Sequence, residues 1–88
     1  NIPRILHNNL DVIIDSSSWP VLPIFKLIEK TGNIDKLEMF RVFNMGIGLT
    51  FFVNKNESEQ ILEFISERNY EPYVIGKLSE GSKKVIIN

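Results

Sequence analysis

Gly46 and Gly48, one residue apart, are the positions where this chain could bring its backbone closest to a ligand. They follow Asn44 and lead into an apolar run over residues 49–53. Side chains alternate across a strand, so both glycines would leave one end of a strand bare on the same face. A ligand or another backbone could lie against that face. A tight helix-to-strand turn explains the same spacing, and the residues alone favour the turn.

The Gly46-Ile47-Gly48 spacing is not a dinucleotide-binding fingerprint, since that motif follows a strand and opens a helix. Asn44 stands at a predicted helix end, where it could cap the helix or offer its side-chain amide to a substrate. Arg4 lies in a stretch without periodicity and could hold a phosphate through paired hydrogen bonds. A solvated surface arginine is the commoner case.

The remaining polar residues form no complete catalytic constellation. His7 is the only histidine and has no carboxylate at a useful spacing, so we interpret it as a surface residue. Three glutamates four residues apart, Glu59, Glu63 and Glu67, are typical of a solvated helix face. The aspartates are scattered over different elements and match no cation-binding loop. We therefore predict no metal ligands and identify no catalytic residue.

Composition limits the class of protein and its partners. A chain of 88 residues is one small domain or part of a larger one. Its net charge of −1 comes without a basic cluster, which argues against nucleic-acid binding. It has no cysteine, and no apolar run approaches the ~20 residues that span a bilayer. We expect a cytoplasmic protein without membrane partners, and the opening at Asn1 rather than methionine suggests a fragment.

Hydrophobic periodicity and turn residues predict an α+β fold, with a mixed sheet covered by helices. Pro23 suits the first turn of a helix, and Gly32 suits a left-handed C-terminal cap. Asp35 with Glu38, and Asn56 with Glu59, resemble capping signals. Apolar residues at helical spacing should face the core. The predicted order is strand, helix, helix, strand, helix, strand, strand, over residues 10–15, 23–31, 35–44, 46–53, 56–68, 73–78 and 84–87.

Several segments in order resemble one family closely. They are NIPR at 1–4, SWPVLPIF at 18–25, EMFRVFNMGIGL at 38–49 and VIGKL at 74–78. Together they resemble the C-terminal portion of the phosphoribosylformylglycinamidine cyclo-ligase (aminoimidazole ribonucleotide synthetase) family. His7 departs from that family, where a proline is usual. The resemblance identifies residues 1–88 as a partial C-terminal domain of a two-domain ATP-dependent enzyme.

The resemblance implies ATP-dependent closure of an imidazole ring in purine biosynthesis, with ATP and Mg²⁺ used by the parent enzyme and neither bound by this fragment alone. The partners implied are a small-molecule nucleotide substrate, the missing N-terminal domain of the same enzyme and a second subunit in a homodimer. Asn1 and Arg4 would lie near the substrate's phosphate or ribose. Asn44, Gly46 and Gly48 would line a cleft between the two domains, and the fragment alone should be inactive.

Two other hypotheses remain open. A stand-alone small-ligand or regulatory module would fit the self-contained pattern of strands and helices. Another ATP-using member of the same superfamily, such as a thiamine-phosphate or selenophosphate synthesising enzyme, is disfavoured by the FNMGIG and SWP segments.

Overall fold

A computed structural model describes residues 2–88 and confirms the α+β class. The strands are β1 (Leu10–Ile14), β2 (Gly76–Glu80) and β3 (Val85–Ile87). The helices are α1 (Pro23–Thr31), α2 (Lys36–Val42) and α3 (Ser58–Ser66), with short 3-10 turns at Ile2–Arg4 and Lys55–Glu57. The chain divides into two compact units. One, the sheet unit, runs up to Trp19 and from Tyr73 onward; the other, the helical unit, is Pro20–Pro72.

The sheet unit is built around β1, which lies between the other two strands. β2 pairs with it antiparallel, from Leu10 opposite Glu80 to Ile14 opposite Gly76. β3 pairs with it parallel, from Val12 opposite Val85 onward. The β-branched residues of β1 suit a strand, and Val12 and Ile14 are buried on its inner face. The sequence predicted these strands, although β2 begins at Gly76 rather than at residue 73.

The carboxylate of Asp11 holds the connection between β2 and β3. Its Oδ1 accepts hydrogen bonds from the backbone N–H groups of Ser82, at 2.8 Å, and Lys84, at 2.9 Å. The backbone N–H of Lys83 donates to the carbonyl of Leu10 at 2.9 Å. These bonds pin the connection across the amino end of β1, so that β3 can enter on the opposite side from β2. The two bound amides, Lys84 first, lower the pKa of Asp11.

α1 begins at Pro23 as predicted, because proline needs no hydrogen-bond acceptor in the first turn of a helix. Its predicted left-handed cap at Gly32 is wrong, since Gly32 has a φ of −84°. The left-handed residue is Asn33, with a φ of 51°. Asparagine tolerates that conformation, so the left-handed residue comes one position later than the glycine indicated, while α1 ends at Thr31 as predicted.

α2 follows Asp35, but the predicted capping box is not formed. The Asp35 side chain makes no capping hydrogen bond. Glu38 instead pairs with Arg41, whose Nε donates to Oε2 at 2.8 Å, and this bond lowers the pKa of Glu38. α2 ends at Val42, before the predicted residue 44, because Phe43 adopts an extended backbone. The predicted cap at Asn56 is also wrong: a 3-10 turn covers that residue, and α3 starts at Ser58.

The predicted central strand over residues 46–53 is wrong for this chain. Met45 and Gly46 form a turn, and residues 47–54 have no regular secondary structure. Strand geometry needs a neighbouring backbone, and among residues 2–88 no hydrogen-bonded strand lies beside this segment. The glycines therefore do not line one face of a pleated sheet here.

The buried core is smaller than the periodicity predicted. The buried apolar residues are Leu6, Val12, Ile14, Trp19, Met39 and Met45. Ile24, Leu27 and Phe64 were expected to face the core, but all three are exposed. Phe25 and Phe43 are half-buried and their rings lie 5.8 Å apart, which ties the start of α1 to the end of α2. Much of the apolar face of the helices is therefore uncovered.

Replacing Asp11 with asparagine should reduce the free energy of unfolding at neutral pH, because the neutral amide is a weaker acceptor for two backbone N–H groups. Folding lowers the pKa of Asp11 from its ordinary value of 3.8, so its contribution is present above that pH. The contribution is lost as pH falls through the folded pKa. Urea unfolding across this range should show the difference between the two proteins shrinking in acid.

Asp35→Asn is the matched control, because the Asp35 side chain makes no capping hydrogen bond. It should cost less at neutral pH than Asp11→Asn. Equal losses from the two substitutions would contradict the role given to Asp11.

Gly76→Ala should destabilise the sheet unit by about 1–3 kcal/mol, the usual cost of overpacking. A Cβ on Gly76 would clash with the carbonyl oxygen of Ile13, so β2 would have to move away from β1. Thermal unfolding and amide exchange of β1 are the measurements. Lys77→Ala, a truncation at an exposed position of the same strand, is the control and should be nearly neutral. A neutral Gly76→Ala would show that the close approach does not exist.

Candidate functional site

The glycine-rich segment is organised by a tight turn at residues 44–47. The backbone N–H of Ile47 donates to the carbonyl of Asn44 at 3.0 Å. The two central residues both have positive φ, 53° at Met45 and 95° at Gly46. That combination is the signature of a type I′ turn, in which glycine is favoured at the second central position. Gly46 therefore lies in a tight turn, as the turn interpretation predicted, but no strand follows this turn.

Met45 was missed by the sequence analysis. A left-handed backbone at a residue with a Cβ costs about 1–2 kcal/mol, and methionine is not among the residues that adopt it readily. Its side chain is buried, and that burial offsets the cost of the backbone conformation. No sequence signal marks the position. Strained backbone recurs at functional sites, so this turn is a candidate functional site.

Gly48 lies in open space. Among the atoms of residues 2–88, a Cβ built on it would meet nothing within 4 Å, and one on Gly46 would meet only the ring edge of Phe25, at 4.0 Å. Both glycines are exposed. The chain's own aromatic rings therefore do not fill the space beside them, and the backbone after the turn is open to approach.

Asn44 is exposed and does not cap α2, because Phe43 occupies the C-cap position. Its carbonyl closes the type I′ turn. The turn thus brings Asn44 and Gly46 together, with Gly48 two residues further on. An exposed side-chain amide beside accessible backbone offers both hydrogen-bond donors and acceptors to a polar ligand.

Arg4 ends the 3-10 turn Ile2–Arg4 and is exposed. It belongs to the sheet unit, whereas Asn44, Gly46 and Gly48 belong to the helical unit. Within residues 2–88 no ion pair involves Arg4. Asn1, the other residue predicted near a phosphate or ribose, lies outside the described residues.

The other polar candidates keep structural or surface positions. His7 is exposed, as are the three helix glutamates, Glu59, Glu63 and Glu67. Asp15 closes a turn after β1: its Oδ1 accepts hydrogen bonds from the N–H and Oγ of Ser17, which lower its pKa. Over residues 2–88, histidines and carboxylates do not gather into a group that could hold a metal ion. Nor is any helix of this described part long and apolar enough to cross a bilayer.

The family is established by comparison over the whole chain. Residues 1–88 match the model of the family described as AIR synthase related protein, C-terminal domain. The chain belongs to this family.

Several curated relatives that it matches are named phosphoribosylformylglycinamidine cyclo-ligase. The chain is 40% identical over 88 residues to that of Brevibacillus brevis, covering 100% of the chain and 25% of the relative. It is 45% identical to the enzyme of Thermodesulfovibrio yellowstonii over 98% of the chain and 25% of the relative. It shares 46% identity with the enzyme of Pseudothermotoga lettingae, over 99% of the chain and 26% of the relative. The chain thus spans about a quarter of the length of the curated relatives it matches.

Gly46→Ala should destabilise the helical unit by about 1–2 kcal/mol, because alanine is strained at a positive φ. Space is not the reason, since the added Cβ would make no close contact. Gly48→Ala should be nearly neutral, because Gly48 has neither a positive φ nor a close neighbour. Chemical denaturation of both variants makes the comparison. A larger loss for Gly48→Ala than for Gly46→Ala would contradict the turn geometry.

Proposed function

We propose that this chain is part of the C-terminal domain of a phosphoribosylformylglycinamidine cyclo-ligase. The parent enzyme would convert formylglycinamidine ribonucleotide to aminoimidazole ribonucleotide with ATP, in de novo purine biosynthesis. The observation that carries the proposal is the family match over residues 1–88, together with identities of 40–46% to relatives that bear this name. A cytoplasmic, homodimeric parent with an N-terminal domain of its own is part of the proposal.

In the proposed reaction the γ-phosphoryl group of ATP is transferred to the amide oxygen of the substrate, and ADP is released. An internal nitrogen then attacks the activated carbon and loses a proton, which closes the imidazole ring and expels the oxygen as inorganic phosphate. Phosphoryl transfer of this kind depends on holding the reacting atoms in line and neutralising charge. The described residues do not form a binding site for Mg²⁺, because no group of three or more acids or histidines lies together among them. The ligands of the metal would therefore lie in the rest of the parent enzyme.

This chain would contribute one wall of the substrate cleft. The exposed amide of Asn44 would hydrogen-bond a polar group of the substrate, and the backbone at Gly46 and Gly48 would allow close approach. Support comes from the open space beside Gly48 and from the type I′ turn that holds Asn44 next to Gly46. The guanidinium of Arg4 would pair with a phosphate, as its exposure and its charge allow.

The test is ATP-dependent formation of aminoimidazole ribonucleotide by the full-length protein and by the 88-residue chain. The full-length protein should turn over and the chain alone should not. In the full-length protein, Gly48→Val should lower kcat/KM by at least roughly tenfold, which corresponds to about 1.4 kcal/mol. Its melting temperature should change little, because the space beside Gly48 is open.

Lys55→Ala, at an exposed position of the same unit outside the turn, is the control for Gly48→Val and should retain activity. A full-length protein without cyclisation activity would refute the proposal. Loss of folding that exceeds loss of turnover in Gly48→Val would remove Gly48 from the site. Calorimetric titration of the 88-residue chain with nucleotides tests the stand-alone module, which requires binding without the rest of the enzyme.

A further inference from the structure

Met45 stands at a position where its residue type opposes its backbone conformation. It is the first central residue of the type I′ turn at residues 44–47 and has a φ of 53°. Asparagine, aspartate and glycine are favoured there, because they adopt a positive φ at little cost. Any of these three would close the turn more easily than methionine does. What methionine contributes at this position therefore comes from its side chain.

The side chain of Met45 is almost fully removed from solvent. Met45 is 6% exposed, whereas its neighbours Asn44 and Gly46 are both exposed. A long, unbranched thioether can fill an irregular space in a core, and its burial is favourable. Strained backbone persists only where the surrounding structure over-determines it. The buried side chain thus acts as an anchor that holds the turn in place.

Two aromatic rings hold the chain just before the turn and beside it. Phe43, the residue before Asn44, is half-buried, and its ring lies 5.8 Å from that of Phe25 at an interplanar angle of 59°. An edge of the Phe25 ring lies 4.0 Å from the position that a Cβ on Gly46 would take. Tilted aromatic pairs at this separation attract each other beyond the area that they bury. Asn44 is thus an exposed residue between two anchored neighbours, Phe43 and Met45.

This arrangement fixes the origin of the Asn44 side chain, although its amide faces solvent. The carbonyl of Asn44 accepts the N–H of Ile47 at 3.0 Å, which also fixes the orientation of its peptide group. A binding side chain has to be held to within about 0.5 Å of its productive position by the residues around it. The backbone of Asn44 can shift by that much only if the turn opens or an anchor is lost.

We propose that Met45 is a positioning residue for the substrate site: its buried side chain sets the place of the Asn44 amide without touching the substrate. This rests on the proposed function, in which Asn44 hydrogen-bonds a polar group of the ribonucleotide. Because its side chain is buried, Met45 acts through its two neighbours, the side-chain amide of Asn44 and the open backbone of Gly46. Their recognition of the ribonucleotide therefore depends on an apolar group outside the cleft.

Steady-state kinetics of the full-length protein with Met45→Asn test this role. Asparagine suits the positive φ, so the turn can still close, but a polar amide does not replace the buried thioether because its burial is costly. The KM for formylglycinamidine ribonucleotide should rise about tenfold, because a displaced Asn44 amide loses its hydrogen bond to the substrate. The KM for ATP should change less than about twofold, because the contacts proposed for Asn44 are to the ribonucleotide.

Two further variants separate positioning from ordinary packing. Met45→Leu keeps the apolar volume and the same backbone, so both KM values should stay within about threefold of those of the wild type. Met39→Ala is the control for lost packing, because Met39 is fully buried in α2, in the same unit but outside the turn. It should lower the melting temperature and leave both KM values unchanged at temperatures where the protein is folded.

Exchange of the Ile47 amide in the full-length protein tests the anchor without catalysis. This N–H donates to the carbonyl of Asn44, so its exchange reports opening of the turn. Met45→Ala should speed its exchange at least roughly tenfold more than Met39→Ala does, because loss of the anchor opens the turn locally.

Wild-type KM values in a folded Met45→Asn protein would overturn the proposal, because the backbone conformation alone would then position Asn44. Equal rises in KM from Met45→Asn and Met39→Ala would also overturn it, since Met45 would then act only as core packing. A folded full-length protein that forms no imidazole product would refute the proposed function itself. The exchange of Ile47 then decides whether Met45 is the anchor, and equal acceleration by Met45→Ala and Met39→Ala would show that it is not.

Discussion

The pairing of β1 on both of its edges is the interaction on which the ordered sheet depends. β2 and β3 are separated by β1, so the short connection between them must cross one end of that strand. The Asp11 carboxylate makes the crossing possible by accepting the backbone N–H groups of Ser82 and Lys84. Buried Val12 and Ile14 fix which face of β1 points inward. The sheet unit therefore supplies hydrogen-bonding partners for both edges of β1 from its own residues.

The helical unit, in contrast, leaves much of its apolar surface exposed. It contains helices and a strained type I′ turn, yet Met39 and Met45 are its only buried apolar residues among those described. A small domain has little core to spare, so uncovered apolar surface is costly. The candidate site at Asn44, Gly46 and Gly48 lies at the start of the least covered segment. The proposal that the chain is part of a longer protein would explain both the candidate site and the exposed surface, and it is supported by relatives of which the chain spans about a quarter.

The sequence predicted the helices, and it predicted the strands whose hydrogen-bonding partners are present in this chain. Pro23 marked the start of α1, and the β-branched run of β1 was predicted within one residue. Other details failed, and three of them have direct physical reasons. Glu38 had a nearer partner in Arg41, and Asn33 took the left-handed position expected of Gly32. Residues 46–53 had no neighbouring strand among residues 2–88. At the site, Gly46 was identifiable from its residue type, whereas the left-handed Met45 was not, because its conformation depends on burial that only the folded chain defines.

A crystal structure of the full-length protein with formylglycinamidine ribonucleotide is the most direct test of the central claim, that the turn at residues 44–47 and Gly48 form a wall of the substrate cleft. A polar atom of the ligand should lie within hydrogen-bonding distance of the Asn44 side chain, and ligand atoms should pack against the backbone at Gly46 or Gly48. Ligand bound elsewhere, with this turn facing bulk solvent, would contradict it.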